Sequence, residues 1–279
     1  NFTDADNDGI NNTNGSDQLP SSFGGLGVTT LLNVKILLQG ALASPSDTLM
    51  RDDLRQQGFI PLTQPYNQTL SPRFAQTTGS GNEYTLASVL SGNANTPNAI
   101  VDWVLLEFRS ASSSSTVLKT LTAFVQRDGD IVGADGNKLG AMLTDNNYYF
   151  SIKHRNHLGV MTASPVITNG VPATIDFRTA STATFGTNAQ KLMTSGKNAL
   201  IAGDVNMDGT VYYTAPSNDR DALLLELSGN EFGYLTSYNS GDVNLDGQTY
   251  YTAPGNDRDW ILSNVLNANE FGFASEQLP

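Results

Sequence analysis

The chain has 279 residues, with 27 acidic against 15 basic side chains, a formal net charge of -12 and no cysteine. That length allows one large or two ordinary domains with real cores. The missing cysteines exclude a disulfide framework without choosing a compartment, and the acidity disfavours nucleic acid or an anionic membrane and suits cations.

No apolar run approaches the roughly 20 residues that a membrane span requires. The chain opens at Asn1 rather than Met and has no signal-like apolar region, as expected of a processed or excised piece of a longer precursor. Residues 1–27 are poor in large apolar side chains and read as an arm or linker. Within them TDADNDGINN places Asp4, Asp6 and Asp8 at alternate positions before Gly9, with Asn12 or Asp17 available to close a loop. The spacing is similar to the calcium repeats of thrombospondin type 3, and a solvated acidic linker is the competing reading.

From Val28 the character changes. Residues 31–42, LLNVKILLQGAL, have the β-formers of a strand, and further strands are predicted at 100–109, 116–126, 148–153, 159–163 and 173–178. Gly, Asn, Asp and Pro punctuate them, with two turn signals in residues 127–137, RDGDIVGADGN. Residues 50–57 read as a short helical turn. Short strands separated by turns predict a mainly β fold, an antiparallel β-sandwich over 28–187. The triplet at Asn67 is a candidate N-glycosylation site, and Thr48 lies in a DTL triplet that resembles a short O-glycosylation motif of the Bacteroidota.

Residues 188–279 hold a duplicated loop-helix region. One copy reads GDVNMDGTVYYTAPSNDRDALL from Gly203 and the other GDVNLDGQTYYTAPGNDRDWIL from Gly241, each followed by NEFG. Asp204, Asn206 and Asp208 in the first, and Asp242, Asn244 and Asp246 in the second, alternate as the opening ligands of an EF-hand-type loop. A glycine for the sharp turn follows, and then a backbone carbonyl ligand at Thr210 or Gln248. The usual twelfth-position acid is absent, since Ala215 stands there. YYTAP therefore reads as an insertion, with Asp221 and Asp259 as closing carboxylates and Asp219 and Asp257 as helix caps or substitute ligands. All-oxygen donors in a long flexible loop favour Ca²⁺ over zinc, copper or Mg²⁺.

Paired loop-helix units of this kind resemble type I dockerin modules, in which two calcium loops bind a cohesin partner; the insertion departs from that pattern.

Signs of catalysis are few. His154 and His157, the only histidines, lie in KHRNHLG without a cysteine or a GxSxG, and read as hydrogen-bonding a turn. Asp102 and Glu107 fall on opposite faces of one strand, and Trp103 and Trp260 are too separate for a sugar platform. A non-enzymatic role is expected.

The ordered motifs of residues 28–279, from LNVKILLQGAL through PNAIVDWVLLEFR and YYFSIKHRNHLGVMT to FGTNAQK and the GDVN repeats, resemble a module of secreted and cell-surface proteins of the Bacteroidota. The resemblance implies export, Ca²⁺ in the repeats and a role in adhesion or an extracellular structure. SDQLP at 16–20 matches SEQLP at 275–279 in four of five positions. An arm ahead of a β-sandwich is suited to completing a neighbour's sheet, which predicts a filament or adhesin subunit associating head to tail with copies of itself. The alternatives are a carbohydrate-binding module for glycans and a dockerin-type module that docks another surface protein.

Overall fold

The computed structural model describes residues 28–77, 80–144, 147–168 and 173–279. The arm, with Asp4, Asp6 and Asp8, lies outside them. Strands β1 (Val28–Lys35), β2 (Ile100–Ser110), β3 (Ser113–Gln126), β4 (Ile131–Val132), β5 (Gly140–Leu143), β6 (Asn147–His154), β7 (His157–Met161), β8 (Val166–Ile167) and β9 (Ala173–Asp176) make up its first part. Short helices α1 (Asp53–Gln56) and α2 (Ala87–Ser91) lie between β1 and β2.

Strand β1 alternates as a one-sided strand must: Thr30, Leu32 and Val34 are buried, whereas Thr29 and Leu31 are exposed. Its first half pairs antiparallel with β5 and its second half parallel with β9. The other sheet is antiparallel and six-stranded, in the order β4-β3-β2-β6-β7 with β8 also on β6. Strand β2 lies between β3 and β6 and is buried from Ile100 to Arg109. Burial on both faces explains why its sequence, IVDWVLLEFR, is largely apolar without alternating, its few charged residues being buried in ion pairs.

The strands predicted at 100–109, 116–126 and 148–153 fall within β2, β3 and β6, and the helical turn is α1. The strands predicted at 159–163 and 173–178 are displaced or shortened: β7 runs two residues earlier, from His157 to Met161, and β9 ends at Asp176.

The second part contains β10 (Lys191–Leu192), β11 (Asn198–Ala199), β12 (Thr210–Tyr212), α3 (Asp219–Glu226), β13 (Tyr234–Leu235), β14 (Thr249–Tyr250), α4 (Asp257–Trp260), a π-helical turn at Ile261–Val265 and β15 (Phe273–Ser275). Its two copies exchange strands. β13, after the first NEFG, pairs with β14 of the second loop, and β15, after the second NEFG, pairs with β12 of the first. Side chains repeat the exchange: the Thr214 hydroxyl donates to the Glu270 carbonyl and the Thr252 hydroxyl to the Glu231 carbonyl, each at 2.6 Å.

Two apolar cores result. The larger joins both sheets through Leu32, Val34, Trp103, Phe124, Phe150 and Ile175 and runs on to Leu200. The smaller holds Ile201, Val205, Val211, Leu223, Val243 and Ile261. They interdigitate, because Leu158 of β7 packs in the smaller core and Leu245 of the second loop in the larger.

Candidate functional site: paired acidic loops and their joint

Each loop is first shaped by its own short polar side chains, which hydrogen-bond nearby backbone and so favour turns. In the first, Asp204 Oδ1 accepts from the Asp208 amide at 3.0 Å, and Asp208 Oδ1 accepts from the Thr210 amide at 2.8 Å. In the second, the matching bonds run from Asp246 to Asp242 at 3.0 Å and from Gln248 to Asp246 at 2.9 Å. Asn206 and Asn244 each accept from the amide two residues on and donate to the carboxylate of Asp208 or Asp246. Gly209 and Gly247 take positive φ, 87° and 84°, as the turn requires.

The distal acids divide differently from the sequence expectation. Asp219 and Asp257 are fully buried inside the loops. Asp219 accepts from the amides of Val205 and Tyr212, both at 2.8 Å, and Asp257 from those of Val243 at 2.8 Å and Tyr250 at 3.0 Å. Asp221 and Asp259, by contrast, have side chains 60% and 54% exposed and pair with the adjacent Arg220 and Arg258.

Nor do Asp219 and Asp257 cap the helices. Asn218 and Asn256 are the N-caps, accepting from the amides of Asp221 and Asp259 at 2.8 and 2.7 Å and donating back to their carboxylates. The reason is geometric: N-x-x-D is a reciprocal capping pair, which turns the third-position acid outward and leaves the first-position acid facing the loop.

Burial dominates the electrostatics. It pushes Asp204 up to about 7, although Arg73 opposes the shift, and Asp242 up to about 7. Asp219 rises to about 8 through burial and the charge of Asp204, and Asp257 lies well above the ordinary carboxylate range through burial and the charge of Asp242. The exposed pair moves the other way: the hydrogen bonds from Asn218 and Asn256 lower Asp221 and Asp259.

The first loop has a cation at its edge, for Arg73 ion-pairs with Asp204 and, through its other terminal nitrogen, with Glu276. Among the described residues Asp242 makes no ion pair. Among them, too, no three acids or histidines converge on one point as they lie, because the carboxylates are turned onto backbone amides.

Both loops are anchored to one hairpin tip. Hairpin tips usually lie at the surface, since buried turns strand polar backbone groups. Here Lys153, His154, Arg155, Asn156 and His157 are all buried, and the repeats supply hydrogen-bond partners to Arg155 and Asn156. The Asn156 carbonyl accepts from the amides of Gly203 at 2.9 Å and Asp204 at 3.2 Å, where the first loop begins. Its side-chain amide donates to the carbonyls of Ser240 at 2.9 Å and Asp242 at 2.7 Å, where the second begins. Arg155 donates to the Asn239 carbonyl and lies over the Tyr238 ring.

The histidines complete this joint. His157 Nε2 accepts from the Gly40 amide at 3.1 Å, which puts its proton on Nδ1, 3.0 Å from His154 Nδ1. His154 then donates from Nε2 to Asp102 at 3.0 Å. Both rings are satisfied while neutral, and burial lowers both pKa values, that of His157 strongly. Burial opposes ionisation of Asp102, but Arg155 and His154 outweigh it and hold the carboxyl below its usual value. Glu107 is likewise held down, by Lys153 and Arg109 against the effect of burial.

Of the remaining sequence candidates, Thr48 and Asn67 are exposed on loops. Trp103 is buried against Phe124, and Trp260 lines a cleft of about 300 Å³ with Lys191, Asn264 and Asn267. Neither Arg73 nor Asn156 was legible as a partner of the loops, because each comes from a distant part of the chain. The caps Asn218 and Asn256, which the sequence reading places on Asp219 and Asp257, have a sequence signal in the N-x-x-D spacing. No family model, no curated protein and no solved structure matches this chain.

Proposed function

We propose that the protein is an extracellular or cell-surface structural subunit, stabilised by Ca²⁺ in its two C-terminal loops and associating head to tail through its N-terminal arm. In this reading the six-stranded and three-stranded sheets face each other as a β-sandwich around the larger core. The observation that carries the calcium assignment is the burial of two carboxylates in each loop, Asp204 with Asp219 and Asp242 with Asp257. Arg73 offsets only Asp204; buried charges without a partner cost several kcal/mol each, and a hard divalent cation is the natural counter-charge for oxygen donors.

Asp219 and Asp257 close the loops, beside Asp204, Asn206, Asp208 and Thr210 in one and Asp242, Asn244, Asp246 and Gln248 in the other. Binding requires the carboxylates to give up some of their backbone hydrogen bonds. The resemblance of the ordered sequence motifs to secreted Bacteroidota modules is what suggests export.

Calorimetric titration with CaCl₂ tests the assignment. The wild type is expected to bind two ions, Asp219→Asn and Asp257→Asn one each, and Asp221→Asn still two. Loss of a site in Asp221→Asn with retention in Asp219→Asn would reverse the assignment, and no binding by the wild type would end it. Negative-stain microscopy with and without EDTA tests the filament.

A second reading is a docking module for a different chain. It is favoured by Phe232 and Phe271, which stand 86% and 85% exposed at equivalent positions of the two copies. It predicts a stoichiometric complex with that chain in place of fibres.

A further inference from the structure

The tail that follows β15 is held residue by residue. The Glu276 amide donates to the Gly209 carbonyl at 2.8 Å, and its carboxylate accepts from the Gly159 amide at 2.7 Å and pairs with Arg73. Gln277 Oε1 accepts from the Thr187 amide at 3.4 Å and lies against Gly186, where a Cβ would come within 2.5 Å of it. Leu278 lies over Gly159, its Cδ1 3.1 Å from where a Cβ would be. The Pro279 carbonyl accepts from Arg109 at 3.2 Å. The seat therefore reads an acid, a glutamine and a leucine in succession and takes the next residue by its backbone carbonyl, and its two glycines leave the space for these side chains.

The same succession occurs once more in the chain, as Asp17, Gln18, Leu19 and Pro20. We propose that this seat is the docking site for residues 16–20 of a second copy, which displaces the tail held there in cis. Asp17 takes the place of Glu276 between Gly159 and Arg73, Leu19 that of Leu278 and the Pro20 carbonyl that of Pro279. The one-methylene shortfall of Asp17 falls on the side of Arg73, whose flexible stem can follow it. A tethered occupant acts at an effective concentration in the millimolar range, so the cis tail keeps isolated copies apart and exchange is favoured as the protein becomes concentrated. This rests on the head-to-tail reading and names the site it uses.

The test is fluorescence anisotropy of a labelled peptide of residues 12–24 on the full chain, wild type and Glu276→Ala/Leu278→Ala. Binding to both is expected, at least about tenfold tighter on the variant, with a further gain for the Asp17→Glu peptide. Binding no better than a scrambled peptide on the wild type at millimolar concentration overturns the proposal, as does equal affinity for both proteins when the variant is folded by circular dichroism. Sedimentation of full-length Asp17→Ala/Leu19→Ala separates the two ideas. Unchanged polymerisation of this variant defeats the docking site but not head-to-tail assembly. Specific peptide binding by a wild type that never polymerises keeps the site and defeats the filament.

Discussion

Replacing Asn156 by alanine should uncouple the second loop from the sheet. The side-chain nitrogen donates two buried hydrogen bonds, to Ser240 and Asp242, and the side-chain oxygen lies 2.9 Å from His157 Nδ1. Each acceptor left stranded costs about 1–3 kcal/mol, so the total loss should be roughly 2–6 kcal/mol. The backbone carbonyl that holds Gly203 and Asp204 survives the substitution, which makes the effect unequal. Urea unfolding should show the stability loss, and calcium titration should show a weaker second-loop site with the first within about threefold of wild type. A change below about 0.5 kcal/mol, or equal weakening of both sites, would refute the clamp.

Three further outcomes are expected. The second loop should bind Ca²⁺ more tightly than the first, because Arg73 ion-pairs directly with Asp204 whereas Arg155 acts on Asp242 without a direct ion pair; in a two-site titration Asp257→Asn should remove the tighter phase, and loss of the weaker one would contradict this. In EDTA, stability should rise as pH falls from 8 to 6.5. Carboxyls raised by burial to about 7 and about 8 give stability that is complete below the unfolded value of about 4 and is lost as pH rises through the folded values. Below about 6.5 the neutral buried histidines, whose folded pKa values are lowered, work in the opposite direction; a melting temperature that falls steadily from pH 8 downward would contradict the carboxyl contribution. Gly40→Ala should open the joint, since its Cβ would lie 2.1 Å from the Val243 carbonyl. Limited proteolysis should then release the repeat region faster, and an unchanged rate would show that the contact is slack.

What the sequence discloses here is local. The central strands were legible because stretches rich in β-forming apolar residues, such as 100–109, have few other outcomes, and the two loops because alternating Asp and Asn before Gly has a fixed geometric meaning. The helix caps fall one residue earlier than the sequence reading places them, because Asn218 and Asn256 take the N-cap position; Asp219 and Asp257 are left buried in the loops and Asp221 and Asp259 exposed. The roles of Arg73, Asn156 and Gly40 depend on contacts between residues far apart in sequence, and periodicity carries no trace of them. The exchange of strands between the copies was hidden for the same reason: two-residue strands such as β13 and β14 leave no pattern.

That exchange makes the duplicated region a dimer written into one chain. A single copy would present the edge of its loop strand and the strand after its NEFG with nothing to pair with, and the nearest complement would be another molecule of itself. The two copies therefore stand or fall as one cooperative unit: a cut or truncation in either removes a strand from both. Divergence between them is constrained in the same way, since each must keep fitting the other, and this accounts for how closely the second copy still repeats the first.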